Sequence, residues 1–320
     1  MEILITGGAG ELGSCLTKEF LNMGFKVKIM EIVPKEFAWR LKEVVDNVEY
    51  VWKSVHDITL KDLEGVDIII QCDAQPDRPL GISSPTFTLY HNLESPMKLL
   101  ETVAKLKKKP WVLYPGSGTI FLGVPYEEQP ITEETQPRPT NAYSWSKWAA
   151  EELHRTYSRK YNIPSTITRS GFVYGPGARL DISIMKWILR ALKNKDLYVR
   201  SPEASRTPCY APDVIQAWKR LIEKGINDLE SVNGLTLHFV DSKEYLMKEI
   251  ANIVVTTLNS DSKIIPVEYE IGEFVNGKPV RQWEKNVLAK KILGWEAKTK
   301  LKDGIKNVAK WLQESKIWLL

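Results

Sequence analysis

The chain has 320 residues, room for one large domain or two of ordinary size, and its 43% hydrophobic and 26% charged residues exclude disordered and fibrous classes. Lys and Arg number 44 against 40 Asp and Glu, and the formal charge of +4 suits an anionic ligand while falling far short of a nucleic-acid binder's basic footprint. Three scattered cysteines (Cys15, Cys72, Cys209) exclude a disulfide framework and a Cys-x-x-Cys zinc site, and with no apolar run of about 18 residues and no basic leader we expect a cytoplasmic protein without a membrane span.

An apolar run over 2–6, closed by Gly7 and Gly8, predicts a strand, and apolar spacing over 13–23, stopped by Gly24, predicts a helix. The turn between them reads Gly7-Gly8-Ala9-Gly10-Glu11-Leu12-Gly13. In such a turn glycines let backbone amides at a helix N-terminus approach a pyrophosphate, so Gly7, Gly10, Glu11, Leu12 and Gly13 are candidate cofactor contacts. A second strand at Lys26 to Glu31 ends on a carboxylate 18 residues past Gly13, placed to accept both ribose hydroxyls of an adenosine. That points to NAD. Strands at 48–53 and 66–72 follow, then a helix at Asn92 to Lys108, a strand at Trp111 to Tyr114, a helix at Ala142 to Tyr161 and a strand at Ser165 to Arg169. About six strands alternating with helices make an α/β fold, a doubly wound parallel sheet of the Rossmann kind. After Gly175-Pro176-Gly177 the alternation weakens into a helix near 182–192, an irregular segment at 201–209, a helix at 213–224 and a strand near 236–240 that returns to the first sheet. We expect an NAD-binding domain over 1–173 and a smaller substrate-binding lobe over 174–320.

Tyr143 and Lys147 stand at i and i+4, on one face of the 142–161 helix. A free phenol is a poor base at neutral pH, but an ammonium beside it favours the phenolate, which can take a proton from a substrate hydroxyl. Arg206 sits in the irregular segment, where its guanidinium is either a bidentate phosphate ligand or a solvated loop side chain. The four histidines show no metal spacing, and Lys105 and Lys107 to Lys109 complement a helix C-terminus, so neither a metal nor a nucleic acid is expected.

The glycine turn, Glu31, Asp57-Ile58, Asn92, Ser117 and Tyr143-x-x-x-Lys147, taken in order, resemble the extended short-chain dehydrogenase/reductases, and more closely the nucleotide-sugar epimerases of the UDP-glucose 4-epimerase type. Arg206-Thr-Pro-Cys-Tyr-Ala-Pro-Asp213 and Leu293-Gly-Trp295 extend the resemblance to about residue 315. It implies NAD as cofactor, with Asp57 and Ile58 at the adenine and Ala74, Asn92, Tyr143 and Lys147 also on the cofactor side. It further implies that Ser117, with Thr119, meets the reacting hydroxyl, that Tyr143 is acid and base, that Lys147 holds the nicotinamide ribose, and that Arg206 meets the substrate diphosphate. A homodimer built on the 142–161 helix is part of the same implication.

Several positions depart from that pattern. Gln71-Cys72-Asp73-Ala74 stands where His-Leu-Ala-Ala is usual, so the Asp73 carboxylate either enters the cofactor pocket or turns away. Glu11 replaces an apolar residue near the pyrophosphate, and Ser170-Gly171-Phe172 lacks an Asn used near substrate phosphates. Gly118-Thr119 replaces the Asp-Glu pair with which 4,6-dehydratases eliminate water, which disfavours that reaction. The leading reading is an NAD-dependent nucleotide-sugar epimerase working through a transient keto-sugar. Beside it stand an NAD-dependent oxidoreductase of a small alcohol or amino acid, another nucleotide-sugar reductase or dehydratase, and a dinucleotide-sensing regulator, against which the Tyr/Lys pair argues.

Overall fold

The computed structural model describes residues 1–267 and 274–315. The first strand, β1 (Glu2–Thr6), is buried along its whole length and turns at Gly7 into α1 (Glu11–Asn22), whose Leu16 and Phe20 lie one turn apart on its buried face. Then come β2 (Lys26–Glu31), β3 (Glu49–Trp52) and β4 (Ile68–Gln71), linked by short 3-10 turns. Ahead of the predicted 92–108 helix the chain builds α2 (Arg78–Ser83) and α3 (Pro85–Leu89), and within it a π turn at Tyr90–Glu94 runs into α4 (Ser95–Ala104), which stops short of Lys108. Pro79, Pro85 and Pro96 each fall in a first turn, the one place where a missing N–H costs a helix nothing, and so divide the segment. Past α4, Lys109 donates to the Val103 carbonyl at 3.2 Å and also to those of Ala104 and Leu106, satisfying the end that the predicted helix would have run through.

Next are β5 (Trp111–Ser117), α5 (Ala142–Tyr161) and β6 (Ser165–Ser170), with α5 bounded by Asn141 at its N-cap and a left-handed Asn162 at its end. The remainder comprises β7 (Phe172–Tyr174), α6 (Ser183–Ala191), β8 (Leu197–Arg200), β9 (Ser205–Arg206), β10 (Pro208–Tyr210), α7 (Ala211–Asn227), β11 (Thr236–Phe239), β12 (Tyr245–Leu246), α8 (Met247–Thr257), β13 (Ile264–Val267), β14 (Phe274–Val275), β15 (Lys278–Pro279), α9 (Val287–Leu293) and α10 (Leu301–Ser315). The irregular segment at 201–209 is therefore corrected: it holds β9 and begins β10, strands of two and three residues that are too short to show a period of two.

Seven strands form one sheet in the order β11-β6-β5-β4-β1-β2-β3, parallel in every pairing from β3 across to β5. The strand foreseen near 236–240 takes the edge beside β6. This is a Rossmann-like fold, in which strands covered on both faces read as continuous apolar runs.

The chain divides into two compact units, one of residues 1–120, 139–169 and 218–237, the other of 121–138, 170–217 and 238–320. In the first, Leu4, Ile69 and Val112 of neighbouring strands pack on Leu99, Leu100 and Val103 of α4. Trp111 fills the space where a side chain at Gly225 would stand, since a Cβ there would come within 2.2 Å of its ring. In the second, α6, α8 and α10 close on β8 through Ile188, Val199, Ile250, Val254, Ile305 and Val308. Each such side chain is worth roughly 1.5–3 kcal/mol on burial.

Candidate functional site

The strand order reverses between β1 and β4, and at the carboxyl ends of these strands lies a cavity of about 320 Å3. Gly7 and Gly10 line it from the first turn, Glu31 from β2, Ser54 and His56 from the turn after β3, and Asp73 and Ala74 from the end of β4. Gly7 has φ +64°, and a Cβ on it would stand 2.7 Å from the Asp73 backbone, while one on Gly13 would stand 2.4 Å from the Gly7 carbonyl oxygen. The turn is thus tight enough for the first-turn amides of α1, Leu12 and Gly13 among them, to emerge at the sheet end, ahead of the helical bond from Ser14 to Gly10. Such a cradle fits a dinucleotide diphosphate. Glu11, the first residue of α1, brings its carboxylate to the same positive helix end.

Glu31 is buried, and its two oxygens accept three backbone amides, from Ala9 at 3.0 Å, Ile32 at 2.8 Å and Val33 at 3.2 Å. It therefore fastens the glycine turn to β2 while facing the cavity. The turn after β3 presents Lys53, Ser54, Val55 and His56 to the cavity, whereas Asp57 is exposed and Ile58 packs in the core with Leu4, Met30 and Val55. Asn92, in the π turn, is buried, with Oδ1 accepting from Gln75 N at 2.7 Å and Nδ2 donating to Gln75 O at 3.1 Å and Ser146 Oγ at 3.0 Å. Both its donors are taken. Asp73 keeps its carboxylate at the cavity wall, where Thr6 and Ser95 donate their hydroxyls to it. Sequence reasoning passed over His56, Phe87 and His91, which also line the cavity, because no motif marks single aromatic and imidazole side chains.

On the same unit, Asn141 accepts the Ser144 amide at 2.9 Å and so caps α5 two residues before Tyr143, which falls in the first turn. Gly81 of α2 lies over Tyr143, 3.4 Å from its Cβ were it to carry a Cβ of its own. One turn along, Lys147 is buried, donates to the Pro115 carbonyl at 2.7 Å and sits 4.2 Å from the centre of the Tyr114 ring. Burial draws its ammonium down to about 8, against the opposing pull of Glu151, Asp73 and Cys72. Ser117, two residues past Pro115, shares a 2.9 Å hydroxyl contact with Thr119, whose amide it also accepts at 3.2 Å. Behind the pair, Glu151 and Arg169 form a buried ion pair, with the guanidinium Nη2 2.7 Å from one carboxylate oxygen and Nε 3.1 Å from both. Gly116 makes room for it, since a Cβ there would meet Glu151 Oε1 at 2.3 Å. His154 packs on Tyr114, bonds Gln71 Oε1 at 3.0 Å, and is held neutral because burial pushes it down to about 3.

Arg206 belongs to the second unit and is buried, not a solvated loop side chain, with Nη1 donating to Ser205 O at 2.8 Å. Ser205 bridges to Arg281, whose guanidinium grips Glu244 at 2.7 and 2.8 Å, so a second arginine stands beside it. No helix of the described residues is long and apolar enough to cross a membrane.

A family model described as the NAD dependent epimerase/dehydratase family matches residues 3–233. The human dTDP-D-glucose 4,6-dehydratase is 26% identical over 325 residues, which cover 98% of this chain and 90% of that protein. Among solved structures, a UDP-glucose 4-epimerase from Thermotoga maritima with UDP-glucose shares the fold at a TM-score of 0.88 and 20% identity, over 99% of this chain and 100% of that one. A dTDP-glucose 4,6-dehydratase from Streptomyces venezuelae with NAD bound does so at 0.87 and 19%, over 99% and 98%.

Proposed function

This chain belongs to the NAD-dependent epimerase/dehydratase family, and we propose that it is a nucleotide-sugar epimerase that oxidises one sugar hydroxyl and returns the hydride to the opposite face of the ring. One arrangement carries the reading: a phenol and a buried ammonium one turn apart on α5, the ammonium anchored on β5, and hydroxyl rather than carboxyl side chains just beyond that anchor. NAD, the family's cofactor, takes up and gives back the hydride when bound. Tyr143 removes the proton from the sugar hydroxyl and later restores it, Lys147 favours the phenolate, and Ser117 with Thr119 orients the hydroxyl. A 4,6-dehydratase must also protonate a departing hydroxyl, and Gly118-Thr119 supplies no acid for that step.

A panel of nucleotide sugars and small alcohols, with product analysis and NADH absorbance followed together, tests the proposal. An epimerase interconverts two sugars with no lasting NADH. Accumulating NADH would identify a dehydrogenase, and a 4-keto-6-deoxy product a dehydratase. Arg206→Ala should raise KM for the active nucleotide sugar far more than it lowers kcat, because a phosphate ligand remote from the reacting carbon acts on binding. An unchanged KM would remove Arg206 from the diphosphate. Glu31 should favour NAD, its charge repelling a 2′-phosphate, and Glu31→Ala should narrow the gap between the NAD and NADP dissociation constants. Fluorescence titration reads both constants, and an unaltered ratio would deny Glu31 that role.

A further inference from the structure

Asp73 follows the end of β4 and lies against the glycine turn. A Cβ on Gly7 would stand 2.7 Å from both Cα and N of Asp73, and Thr6, the residue before Gly7, donates its hydroxyl to Asp73 Oδ1. Ser95, at the start of α4 and itself on the cavity wall, donates to Oδ2. The carboxylate is therefore pinned through both oxygens beside the turn that forms the diphosphate cradle, and its partners among the described residues are neutral. We propose that Asp73 is an affinity-setting residue, whose charge opposes the diphosphate of NAD and keeps the dinucleotide loosely held; this needs the family's cofactor and not the epimerase reading.

Among the described residues, no cation in the cavity lining answers that charge. Lys53 is paired with Asp62 at 2.7 Å, His56 faces Glu94 at 3.9 Å, and burial, together with His56, draws His91 below the usual imidazole range. Glu31, the other carboxylate of the lining, is already satisfied by three amides. One of these, the amide of Ala9, is thereby spent, as is that of Gly10 on the Gly7 carbonyl at 3.0 Å, which leaves the turn fewer donors to offer a diphosphate. A diphosphate entering here gains the positive end of α1 but meets a fixed anion in a half-buried wall, where charges interact more strongly than in open water. Occupancy of the site, and turnover with it, then follows the concentration of free NAD.

Calorimetric titration of the full chain with NAD and with ADP-ribose, at about 0.01 M ionic strength where screening is weak, reads the effect directly. Asp73→Asn keeps both hydrogen bonds, because a hydroxyl can donate to its oxygen or accept from its amide, and removes only the charge. It should lower the Kd of both ligands by about fivefold. Adenosine, which has no phosphate, should bind the variant and the parent alike when followed by ligand-observed NMR. An Asp73→Asn Kd for NAD equal to the parent's would overturn the proposal, and so would a higher one, which would mean that the carboxylate holds a cofactor hydroxyl instead. An equal gain with adenosine would also overturn it, by assigning the change to shape and not to charge. Should Asp73→Asn not fold, Asp73→Ala is titrated in its place and judged by the same criteria. A chain that converts no nucleotide sugar refutes the epimerase reading alone, because these titrations require no sugar substrate.

Discussion

Tyr143→Phe should lower turnover by roughly 10² to 10⁴, the usual worth of a positioned general acid and base, while leaving NAD binding close to normal. The side chain keeps its Cβ beneath Gly81 and its place in the first turn of α5; only the hydroxyl proposed to exchange the proton is lost. Lys147→Met should behave differently. It removes the cation that favours the phenolate and, on the proposed reading, a ribose contact, so rate and NAD affinity should fall together and the residual activity should move to higher pH. Steady-state rates across pH with parallel NAD titrations distinguish the two patterns. Near-normal turnover in Tyr143→Phe would strip the pair of its chemistry and leave a structural helix face.

Glu151→Ala should cost about 3–5 kcal/mol of stability, because it removes the carboxylate that both Nε and Nη2 of the buried Arg169 guanidinium engage. The loss belongs to the broken pair, not to the pair's net worth. Replacing both partners by apolar side chains of similar volume, as in Glu151→Met with Arg169→Leu, should recover most of it. Urea unfolding of the two variants measures the difference, and equal midpoints would mean that the ion pair contributes through packing alone.

Period and punctuation made the strands from β1 to β6 and the long helix α5 readable, since buried parallel strands are continuous apolar runs and Asn141 and Asn162 bound the helix at both ends. The glycine turn was legible for the same reason that it works: Gly7 and Gly13 stand where a Cβ has no space. What could not be read was whatever depends on partners distant in sequence. Glu31 accepts an amide 22 residues away, Asp73 is held by a residue 67 positions before it, and Arg206 is buried by neighbours on β12 and around Arg281. The split of the 78–104 region into three helices follows from prolines whose place in a first turn is recognisable only once the turns are known.

Asn92 has a mechanical consequence. One side-chain amide grips both backbone groups of Gln75, next to the cavity wall, and the hydroxyl of Ser146, the residue before Lys147. The cavity wall and α5 are therefore joined by three hydrogen bonds through a single planar amide. A shift imposed on the segment at Gln75 is thereby coupled through Asn92 to the first turns of α5.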